Sequence, residues 1–487
     1  MENKPLLSAV LKELLICRQG KDVILQDVAV DSRKVADGGV FVAVPGTKVD
    51  GHDFIPQASS RAGAVVYSHP QCVLPENISS YCVSDCARAA ALLFREKYGR
   101  PDEALQLCGV TGTNGKTTTV FILEHLLKNC GLLSTVEFRD GRQCMPATHT
   151  TPDPETLFFW LGNMQKNGLK FAAMELSSHA LDQDRAFGAR FQRAVFTNLT
   201  GDHLDYHKDM EQYYQAKKRF FTRLLVPEGK AVINVDDPYG RRLSEELKDF
   251  REVISFGTTE QADWQIRHLQ STRSGVAFEL VSRNTAYTFK ANLPGSYNAY
   301  NLSGAVLTAL SLGKSYGEIS RALQEKITVP GRMQFFDAPG GAGFAVDFAH
   351  TDDALMNVLR ALRPLTEKRL FCVFGAGGNR DKTKRPRMGR AAACADFVIV
   401  TSDNPRDEKP EDIIADIVAG IPAGTAFEIE VDRRKAIERA FALAQKGDIV
   451  LIAGKGHENY QEIAGVKHPF SDAQVIRTVF SGRNENE

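Results

Sequence analysis

The sequence predicts an α/β protein built from three domains. With 487 residues the chain is too long for one hydrophobic core, and it corresponds to about three domains of ordinary size. Short apolar runs end at polar residues and alternate with helical patterns, which is typical of parallel βαβ units. Near the first quarter of the chain, a glycine loop lies between a strand-like run and a helical pattern. These patterns favour open α/β sheets over a repeat array.

The first block of the chain is predicted to be a small α/β domain. We expect short strands at residues 40–44 and 64–67 and a helix at residues 87–98. Residues 1–15 have an apolar pattern interrupted by charged side chains, which predicts an amphipathic helix rather than a signal peptide.

The second block is predicted to contain a mostly parallel sheet. Its apolar runs at residues 105–110, 171–174, 194–196 and 231–233 read as buried strands. Residues 264–291 alternate between apolar and polar side chains, which predicts antiparallel hairpins.

The third block repeats one design and is predicted to be a Rossmann-like domain. Apolar runs at residues 344–346, 370–374, 397–400 and 449–453 are separated by helical patterns, so they read as parallel strands. Ligands of open α/β sheets bind at the carboxyl ends of strands. Most polar clusters of this chain lie where a strand is predicted to end.

Two linkers separate these blocks. Glycine and proline among charged residues at 99–103 stop a helix and keep the segment solvated, and residues 329–331 have a similar composition. The predicted domains are therefore residues 1–100, 101–331 and 332–487.

The composition is that of an ordinary globular protein. Sixty basic residues balance sixty acidic ones, so no basic excess points to nucleic acid or to an anionic membrane. No apolar run approaches the roughly 18 residues that a membrane span needs. The nine cysteines are an odd number without zinc-ligand or redox spacing. We therefore expect reduced cysteines, a cytoplasmic protein and no membrane insertion.

The glycine loop predicts an ATP site with Mg²⁺. Strand, loop and helix in this order present backbone N–H groups and a helix N-terminus to a polyphosphate. Lys116 would reach the outer phosphates and Thr117 would bind Mg²⁺. The strict phosphate-loop spacing would place a glycine at position 110, where the chain has Val110. The residues expected to bind ATP here are Gly112, Thr113, Asn114, Gly115, Lys116, Thr117 and Thr118.

Two further clusters could bind a metal or transfer protons. Glu175 follows a predicted strand, where a second Mg²⁺ ligand belongs in a phosphate-loop domain. Residues 197–207 contain two histidines and two aspartates, which suit metal binding or proton transfer. A solvated strand end and a capped surface loop are the alternative interpretations.

These motifs, with others further along the chain, closely resemble the Mur ligase family. The resemblance covers nearly the whole chain and is carried by residues 112–119, Thr150-Thr151-Pro152, residues 175–179, Asn198, residues 202–207, Tyr213-x3-Lys217, Gly295-x2-Asn298-x2-Asn301, Gly331-Arg332-Met333, residues 347–350, Asp403-Asn404-Pro405-Arg406 and residues 454–458.

The resemblance implies a uridine-nucleotide-binding N-terminal domain, a central P-loop ATPase domain and a C-terminal domain that binds an amino acid. It implies an ADP-forming amide ligase of peptidoglycan synthesis that extends UDP-N-acetylmuramoyl-L-alanyl-D-glutamate through an acyl phosphate. The expected partners are small-molecule substrates, and a monomer is expected.

The resemblance also assigns metal and nucleotide ligands. Thr117, Glu175, His203 and a carbamylated Lys217 would bind metal, with Lys116, Glu175, His203 and Lys217 forming the catalytic set. Asn301, Arg332 and Asp347 would hold the nucleotide. From the residues alone, Lys217 reads as a solvated helix residue. The chain departs from the family pattern at Phe348, where tyrosine is usual, and at Asp352, where proline is usual.

Matching positions also assign the two other substrates. The UDP-substrate would contact Val30, Ser32, Thr47, Lys48, Val49, Thr150, Thr151, Ser177, Gln183 and Arg185. The amino acid would contact Arg380, Asp403, Asn404, Pro405, Arg406, Gly454 and Glu458. Arginine at position 406 resembles the members that add meso-diaminopimelate, because a guanidinium can bind its second carboxylate bidentately.

Several alternatives stay open at this stage. A lysine-adding ligase of the same family is the nearest, a folylpolyglutamate synthetase shares the phosphate loop, and a nonenzymatic ATP-dependent binding protein belongs to a different class. The base that deprotonates the incoming amine is not identified, although His179 and His350 are available.

Overall fold

A computed structural model describes residues 4–46, 49–69, 71–72 and 74–482 of the protein. It contains three large sheets that follow one another along the chain, each covered by helices. The predicted class, an α/β protein of three domains, is confirmed. No helix in the described ranges is long and apolar enough to cross a membrane.

The N-terminal sheet has five strands in the order β1-β5-β4-β3-β2, and only β1 is antiparallel to its neighbour. The strands are β1 Leu15–Gln19, β2 Val28–Ala29, β3 Val40–Val42, β4 Ala64–Tyr67 and β5 Ser79–Val83, and the helices are α1 Leu7–Val10, α2 Ile55–Ala58 and α3 Cys86–Lys97. The helix predicted for residues 1–15 is wrong beyond α1, because the chain from Leu15 onward pairs with β5. Residues 1–3 lie outside the described part.

The central sheet has eleven strands, with β6 near its middle. The strands are β6 Gln106–Thr111, β7 Cys130–Leu133, β8 Glu137–Arg139, β9 Cys144–Pro146, β10 Phe171–Glu175, β11 Phe191–Phe196, β12 Leu225–Asn234, β13 Glu252–Gly257, β14 Trp264–Thr272, β15 Gly275–Val281 and β16 Ala286–Ala291. Their order is β16-β15-β14-β13-β12-β11-β6-β10-β7-β8-β9. Strands β7, β10, β6, β11, β12, β13 and β14 run parallel, whereas β14–β16 form the predicted antiparallel hairpins.

Helices cover both faces of the central sheet, and α5 and α11 pack against each other on one of them. The helices are α4 Pro101–Ala104, α5 Lys116–Leu127, α6 Pro154–Lys166, α7 Ser178–Asp182, α8 Leu204–His207, α9 Met210–Arg219, α10 Pro238–Leu247, α11 Tyr297–Ser311 and α12 Tyr316–Ala322. The first two turns of α5 are buried throughout beyond Lys116, so the helix that follows the glycine loop is anchored in the core.

The C-terminal sheet has six strands in the order β17-β18-β22-β19-β20-β21, parallel except for β17. The strands are β17 Gln334–Asp337, β18 Gly343–Asp347, β19 Leu370–Phe374, β20 Phe397–Val400, β21 Phe427–Ile429 and β22 Ile449–Ala453, and β23 Tyr460–Ile463 pairs separately with β24 Val466–Pro469. The helices are α13 Asp352–Leu362, α14 Lys384–Ala392, α15 Pro410–Val418, α16 Arg433–Leu443 and α17 Asp472–Ser481.

The predicted boundaries after residues 100 and 331 both fall between sheets. The exact residues at which the domains begin and end stay predictions. Most of the predicted site residues follow the carboxyl ends of strands. These strands are β6, β10 and β11 in the central sheet and β18, β20 and β22 in the C-terminal sheet.

Candidate active site

The glycine loop follows β6, and two of its positions admit only glycine. Gly112 has φ +146°, and a Cβ there would lie 1.9 Å from Thr197 Oγ1. Gly115 has φ +88° at the start of α5, and a Cβ there would lie 2.3 Å from Asn301 Oδ1. The backbone therefore approaches its neighbours more closely than any other residue type allows.

Asn198 fixes the conformation of this loop from the end of β11. Its carbonyl accepts from Thr113 N at 2.9 Å, and its Oδ1 accepts from Asn114 N at 2.9 Å. Thr197 Oγ1 donates to Asn114 O at 2.6 Å. The loop is thus held in place by a neighbouring strand end.

Two lysines converge on one carbonyl of the loop. Lys116 Nζ donates to Gly112 O at 3.0 Å and to Thr113 O at 2.8 Å, and Lys217 Nζ donates to Gly112 O at 2.8 Å. Lys217 is only 1% exposed, so its interpretation as a solvated helix residue is wrong. The reason is that α9 turns Tyr213 and Lys217 inward against the loop. Burial lowers the pKa of both lysines, and the pKa of Lys217 lies well below its usual value.

Two buried carboxylates lie near these lysines. Glu175 ends β10 beside β6, and its oxygens accept from Thr135 N at 2.7 Å and from Thr135 Oγ1 at 3.1 Å. Burial alone would raise the pKa of Asp202, but His203 and Lys384 beside the carboxylate outweigh it and hold that pKa at about 2. Glu175 and Asp202 both act electrostatically on Lys116, so the site combines both signs of charge.

An aromatic cluster of three histidines borders the loop. The ring of His179 lies 4.8 Å from that of His203 and 5.5 Å from that of His207, and Tyr206 and Tyr213 complete the cluster. Burial lowers the pKa of His203 to about 4, so this side chain is neutral at pH 7. His207 Nε2 is buried and has no hydrogen-bond partner among the residues that the structure describes.

Two of the three predicted nucleotide residues, Asn301 and Arg332, lie near the start of α5, and the third, Asp347, fixes the segment that carries Arg332. Asn301 is buried on α11, and its Oδ1 faces the Gly115 backbone. Arg332 Nη2 donates to Thr117 Oγ1 at 3.1 Å. Asp347 ends β18 and accepts from Met333 N at 2.7 Å, which fixes the segment that carries Arg332.

Phe348 provides an aromatic face for Arg332. The guanidinium of Arg332 lies 4.6 Å from the centroid of the Phe348 ring. This cation–π contact uses the ring and needs no phenolic hydroxyl. The replacement of tyrosine by phenylalanine therefore preserves the packing of Arg332.

The start of α13 contacts the phosphate loop across the domain boundary. Asp353 Oδ2 accepts from Thr200 Oγ1 at 3.0 Å and from Asn114 Nδ2 at 3.3 Å. Thr351 caps this helix, whose first residue is Asp352, so the turn forms without proline there. Asp353 is a contact that the sequence patterns did not indicate.

The five predicted substrate residues of the central domain form a connected group beside Glu175. Thr151 Oγ1 donates to Glu175 O at 2.8 Å and accepts from Ser177 N at 3.0 Å. Arg185 Nη1 donates to Thr151 O at 3.1 Å and its Nη2 to Gln183 Oε1 at 2.8 Å. Thr150 joins the same region, since its Oγ1 accepts from Thr135 Oγ1 at 3.1 Å.

The predicted substrate residues of the N-terminal domain are placed less completely. Val30 and Val49 are exposed, and Ser32 Oγ donates to Gln57 Oε1 at 2.9 Å. Thr47 and Lys48 lie outside the described residues. Among the described residues, no hydrogen bond joins Val30, Ser32 or Val49 to the central group.

The predicted amino-acid residues lie at two strand ends of the C-terminal sheet. Asp403, Asn404 and Pro405 follow β20, and Gly454 and Glu458 follow β22. Gly454 has φ +113°, and a Cβ there would lie 2.4 Å from Asp403 Oδ2. Asn404 Nδ2 donates to Glu458 Oε2 at 2.8 Å, so the two segments form one site.

Arg406 lies at the edge of this site. Its Nη1 donates to Gly378 O at 2.6 Å, and its Nε lies 3.3 Å from Glu462 Oε2. The side chain is about a quarter exposed, at 23%. Arg380 is exposed on the adjacent loop, next to Gly377, whose Cα faces Arg406.

Comparison with known proteins identifies the family. The Mur ligase middle domain matches residues 110–309, the Mur ligase glutamate ligase domain matches residues 331–456, and the Mur ligase family catalytic domain matches residues 25–89. The UDP-N-acetylmuramoyl-L-alanyl-D-glutamate--2,6-diaminopimelate ligase of Aquifex aeolicus is 44% identical over 466 residues, which are 94% of each chain. The chain belongs to the Mur ligase family. A protein of the same name from Gloeobacter violaceus is 43% identical over 475 residues, 95% of each chain.

A solved Mur ligase structure confirms the fold along the whole chain. The structure of a UDP-N-acetylmuramoyl-L-alanyl-D-glutamate--2,6-diaminopimelate ligase superimposes with a TM-score of 0.71 at 33% identity and covers 99% of both chains. The resemblance that the motifs predicted is therefore confirmed.

Two buried cations of this Mur ligase were not indicated by the sequence patterns. Lys455 is fully buried and donates to Asn404 Oδ1 and to Glu458 Oε2, both at 2.9 Å. Arg433 is equally buried, binds both oxygens of Asp472 at 2.8 Å and donates to Ala453 O at 2.9 Å. Lys455 could have been noticed within the motif at residues 454–458, whereas Arg433 has no local signal.

The basic run at residues 380–387 of this Mur ligase has more than one role. Arg385 is buried and paired with Glu408 and Asp416, so the run is not a solvated loop at this position. Lys384 Nζ lies 3.2 Å from Asp202 Oδ1, which joins the two domains beside the phosphate loop.

Proposed function

We propose that the protein is an ATP-dependent ligase that joins meso-diaminopimelate to the γ-carboxylate of D-glutamate in UDP-N-acetylmuramoyl-L-alanyl-D-glutamate, forming ADP and phosphate. One observation carries this proposal: the C-terminal domain, which holds the predicted amino-acid residues, contacts the phosphate loop, and the boundary between the two is here called the cleft. Asn114 and Asp202 of the central domain contact Asp353 and Lys384 of the C-terminal domain. Relatives 36–44% identical to this chain bear this activity in their names.

The chemistry requires that three substrates meet in that cleft. A carboxylate is a poor electrophile, so ATP first transfers its γ-phosphoryl group to the D-glutamate oxygen and ADP leaves. The amine then attacks the acyl phosphate, an amide forms, phosphate leaves and the amine loses a proton. Lys116 would leave the loop carbonyls to bind the outer phosphates, and the N–H groups at the start of α5 would bind the others.

The donor set at the loop fits Mg²⁺. Glu175 and Thr117 offer hard oxygen ligands, which Mg²⁺ prefers, and His203 is neutral at pH 7 and can add a nitrogen. Lys217 would join this set as a carbamate, because carbamylation converts a buried amine into an oxygen donor. When bound, Mg²⁺ would offset the negative charge of the phosphates and the carboxylate.

The remaining site residues receive the roles that the family resemblance implies. Asn301, Arg332 and Asp347 hold the nucleotide; the connected group formed by Thr150, Thr151, Ser177, Gln183 and Arg185 binds the muramoyl dipeptide; and Val30, Ser32, Thr47, Lys48 and Val49 bind the uridine nucleotide. The enzyme acts as a cytoplasmic monomer.

Diaminopimelate is favoured over lysine by the cations at the C-terminal strand ends. Arg406 would bind the carboxylate that lysine lacks, with Arg380 beside it. Asp403, Asn404, Pro405, Gly454 and Glu458 would hold the other end of the amino acid. Lysine would leave the partly buried guanidinium of Arg406 without this second carboxylate, which disfavours lysine.

Phosphate release tests this proposal directly. ATP, Mg²⁺ and the UDP-linked dipeptide are incubated with the protein and with meso-diaminopimelate or L-lysine in turn. We expect release that depends on both the dipeptide substrate and diaminopimelate, with a product heavier by one diaminopimelate residue. Faster release with lysine would identify a lysine-adding ligase, and release without any UDP-substrate would contradict the proposal.

A further inference from the structure

The β23–β24 hairpin packs on the segment that carries Arg406, outside the six-stranded sheet of the C-terminal domain. Its second strand is exposed along its whole length. Hydrogen bonds connect its first strand to the segment after β20: Glu462 N donates to Asn404 Oδ1 at 2.9 Å, and Gln461 Nε2 donates to Asp403 O at 2.7 Å. The proposed function assigns no role to any residue of the hairpin.

The hairpin also holds the backbone of Arg406 in an unusual conformation. Arg406 has φ +52°, in the left-handed region that favours glycine. Its N–H donates to Glu462 O at 3.0 Å, its carbonyl accepts from Ala464 N at 2.7 Å, and a parallel bridge joins it to Ile463. A large residue keeps this conformation only where the surrounding contacts determine it, and such residues cluster at ligand sites. The hairpin therefore fixes the direction in which the Arg406 side chain leaves the backbone.

The guanidinium of Arg406 is held on two sides. Glu462 Oε2 lies 3.3 Å from Nε, and Gly378 O accepts from Nη1 at 2.6 Å. Gly377 leaves room for the group, since a Cβ there would lie 3.1 Å from Nη1. The second N–H of Nη1 and both of Nη2 bind no other described residue. Adjacent N–H groups on Nη1 and Nη2 can bind a carboxylate bidentately.

The Glu462 carboxylate is placed to orient this group. Its side chain is 25% exposed and that of Arg406 is 23% exposed, so the pair is partly shielded from water. Among the described residues, the carboxylate forms no other ion pair or hydrogen bond. The guanidinium is planar, so an acceptor at Nε fixes its rotation about the Cδ–Nε bond and thereby the direction of Nη1 and Nη2.

We propose that Glu462 is a positioning residue for amino-acid selectivity, which orients the guanidinium of Arg406 toward the second carboxylate of diaminopimelate. This inference rests on the proposed function, because it requires that the second carboxylate binds Arg406. Without Glu462 the guanidinium rotates more freely and the bidentate pair forms less often. The affinity for diaminopimelate then falls, whereas lysine has no second carboxylate and is unaffected.

Steady-state phosphate release with Glu462→Ala and Glu462→Gln tests the proposal. We expect Glu462→Ala to raise KM for diaminopimelate about fivefold, as loss of a partly exposed ion pair can do, and to leave kcat unchanged. In Glu462→Gln the amide oxygen still accepts from Arg406 Nε, so most of the affinity should be recovered. KM for lysine should stay within about twofold in both variants.

Glu428→Ala is the matched control, because Glu428 forms an ion pair with Arg439 elsewhere in the same domain. It should keep the wild-type KM. The hairpin should stay folded in Glu462→Ala, since the hydrogen bonds from Glu462 to Asn404 and Arg406 use its backbone. Its melting temperature should therefore match that of the wild type. The double variant Glu462→Ala/Arg406→Ala should have the same KM as Arg406→Ala, because Glu462 acts only through Arg406.

An unchanged KM for diaminopimelate in Glu462→Ala would overturn the proposal, as would additive effects in the double variant. A KM that falls in both Glu462 variants would show that this carboxylate competes with that of the substrate, and would overturn the proposal as well. Failure of the proposed function gives a different result, because phosphate release by the wild type would then not depend on diaminopimelate.

Discussion

Replacing Arg406 by alanine should lower the activity with diaminopimelate far more than the activity with lysine. In the structure one Nη1 hydrogen binds Gly378 O and Nε faces Glu462, so three of the five guanidinium N–H donors, on Nη1 and Nη2, are left for a ligand. These suffice for a bidentate pair with the second carboxylate of diaminopimelate. Charge-assisted hydrogen bonds contribute about 1.5–3 kcal/mol each, so two lost bonds lower kcat/KM for diaminopimelate by roughly 10²- to 10⁴-fold.

The assay is phosphate release with diaminopimelate and with lysine, measured on the same preparation. The value of kcat/KM for lysine should stay within about threefold, because lysine does not make the lost contact. Arg439→Ala serves as the control, since Arg439 forms an exposed ion pair with Glu428 in the same domain. An unchanged ratio of the two kcat/KM values in Arg406→Ala would refute the assignment of Arg406 to the second carboxylate.

Three further predictions concern the loop, the buried ion pair and a buried histidine. Lys217→Ala should lower kcat by more than about 100-fold, and added formate or acetate should restore part of the activity. The control Lys218→Ala, one residue away, should keep its activity. If the additives do not affect Lys217→Ala, the carbamate is contradicted. Arg433→Met leaves the Asp472 carboxylate buried and unpaired, which should destabilise the C-terminal domain by about 3–5 kcal/mol, and the double variant Arg433→Met/Asp472→Leu should recover most of this stability. Hydrogen exchange in β20 and β22 measures the stability of both variants. Equal protection in the single and double variants would argue against a stabilising role of the ion pair. Burial, and then the charge of Arg332, lowers the pKa of His457 from 6.5 to about 3. The contribution of the neutral His457 to stability is therefore complete above about pH 6.5 and declines by up to about 1.4 kcal/mol per pH unit as the pH falls. Between about pH 7 and 5 the melting temperature of His457→Gln should depend less on pH than that of the wild type, and parallel curves for the two proteins would exclude this role.

Much of the fold follows from local patterns. The strands that end at Glu175, Asp347 and Ala453 were predicted because buried parallel strands are short apolar runs that stop at polar residues. The glycine loop was predicted because its glycines and the flanking strand and helix are adjacent in sequence, whereas the contacts of Asn198 that fix its conformation come from a distant strand end. The prediction of a long N-terminal helix was wrong because residues 15–19 form the edge strand β1. This strand pairs with β5, which lies more than sixty residues further along the chain.

The candidate site was predictable where one segment contains the chemistry and unpredictable where packing creates it. The burial of Lys217 depends on how α9 docks on the loop, and the sequence around it, with charged neighbours, resembles a surface helix. Asp353 acquires its role from a contact between domains.

The contacts that Arg332 and Asp353 make with the phosphate loop have a consequence for motion. Both residues follow the second linker. Their partners are Asn114 in the loop, Thr117 in the first turn of α5 and Thr200 after the adjacent strand end. Rotation of the C-terminal domain away from the cleft therefore breaks these contacts together. Separation of the domains therefore frees Asn114, Thr117 and Thr200 in a single event, while Asn198 keeps the loop in place, and a probe on either side of the boundary should report the same relaxation rate.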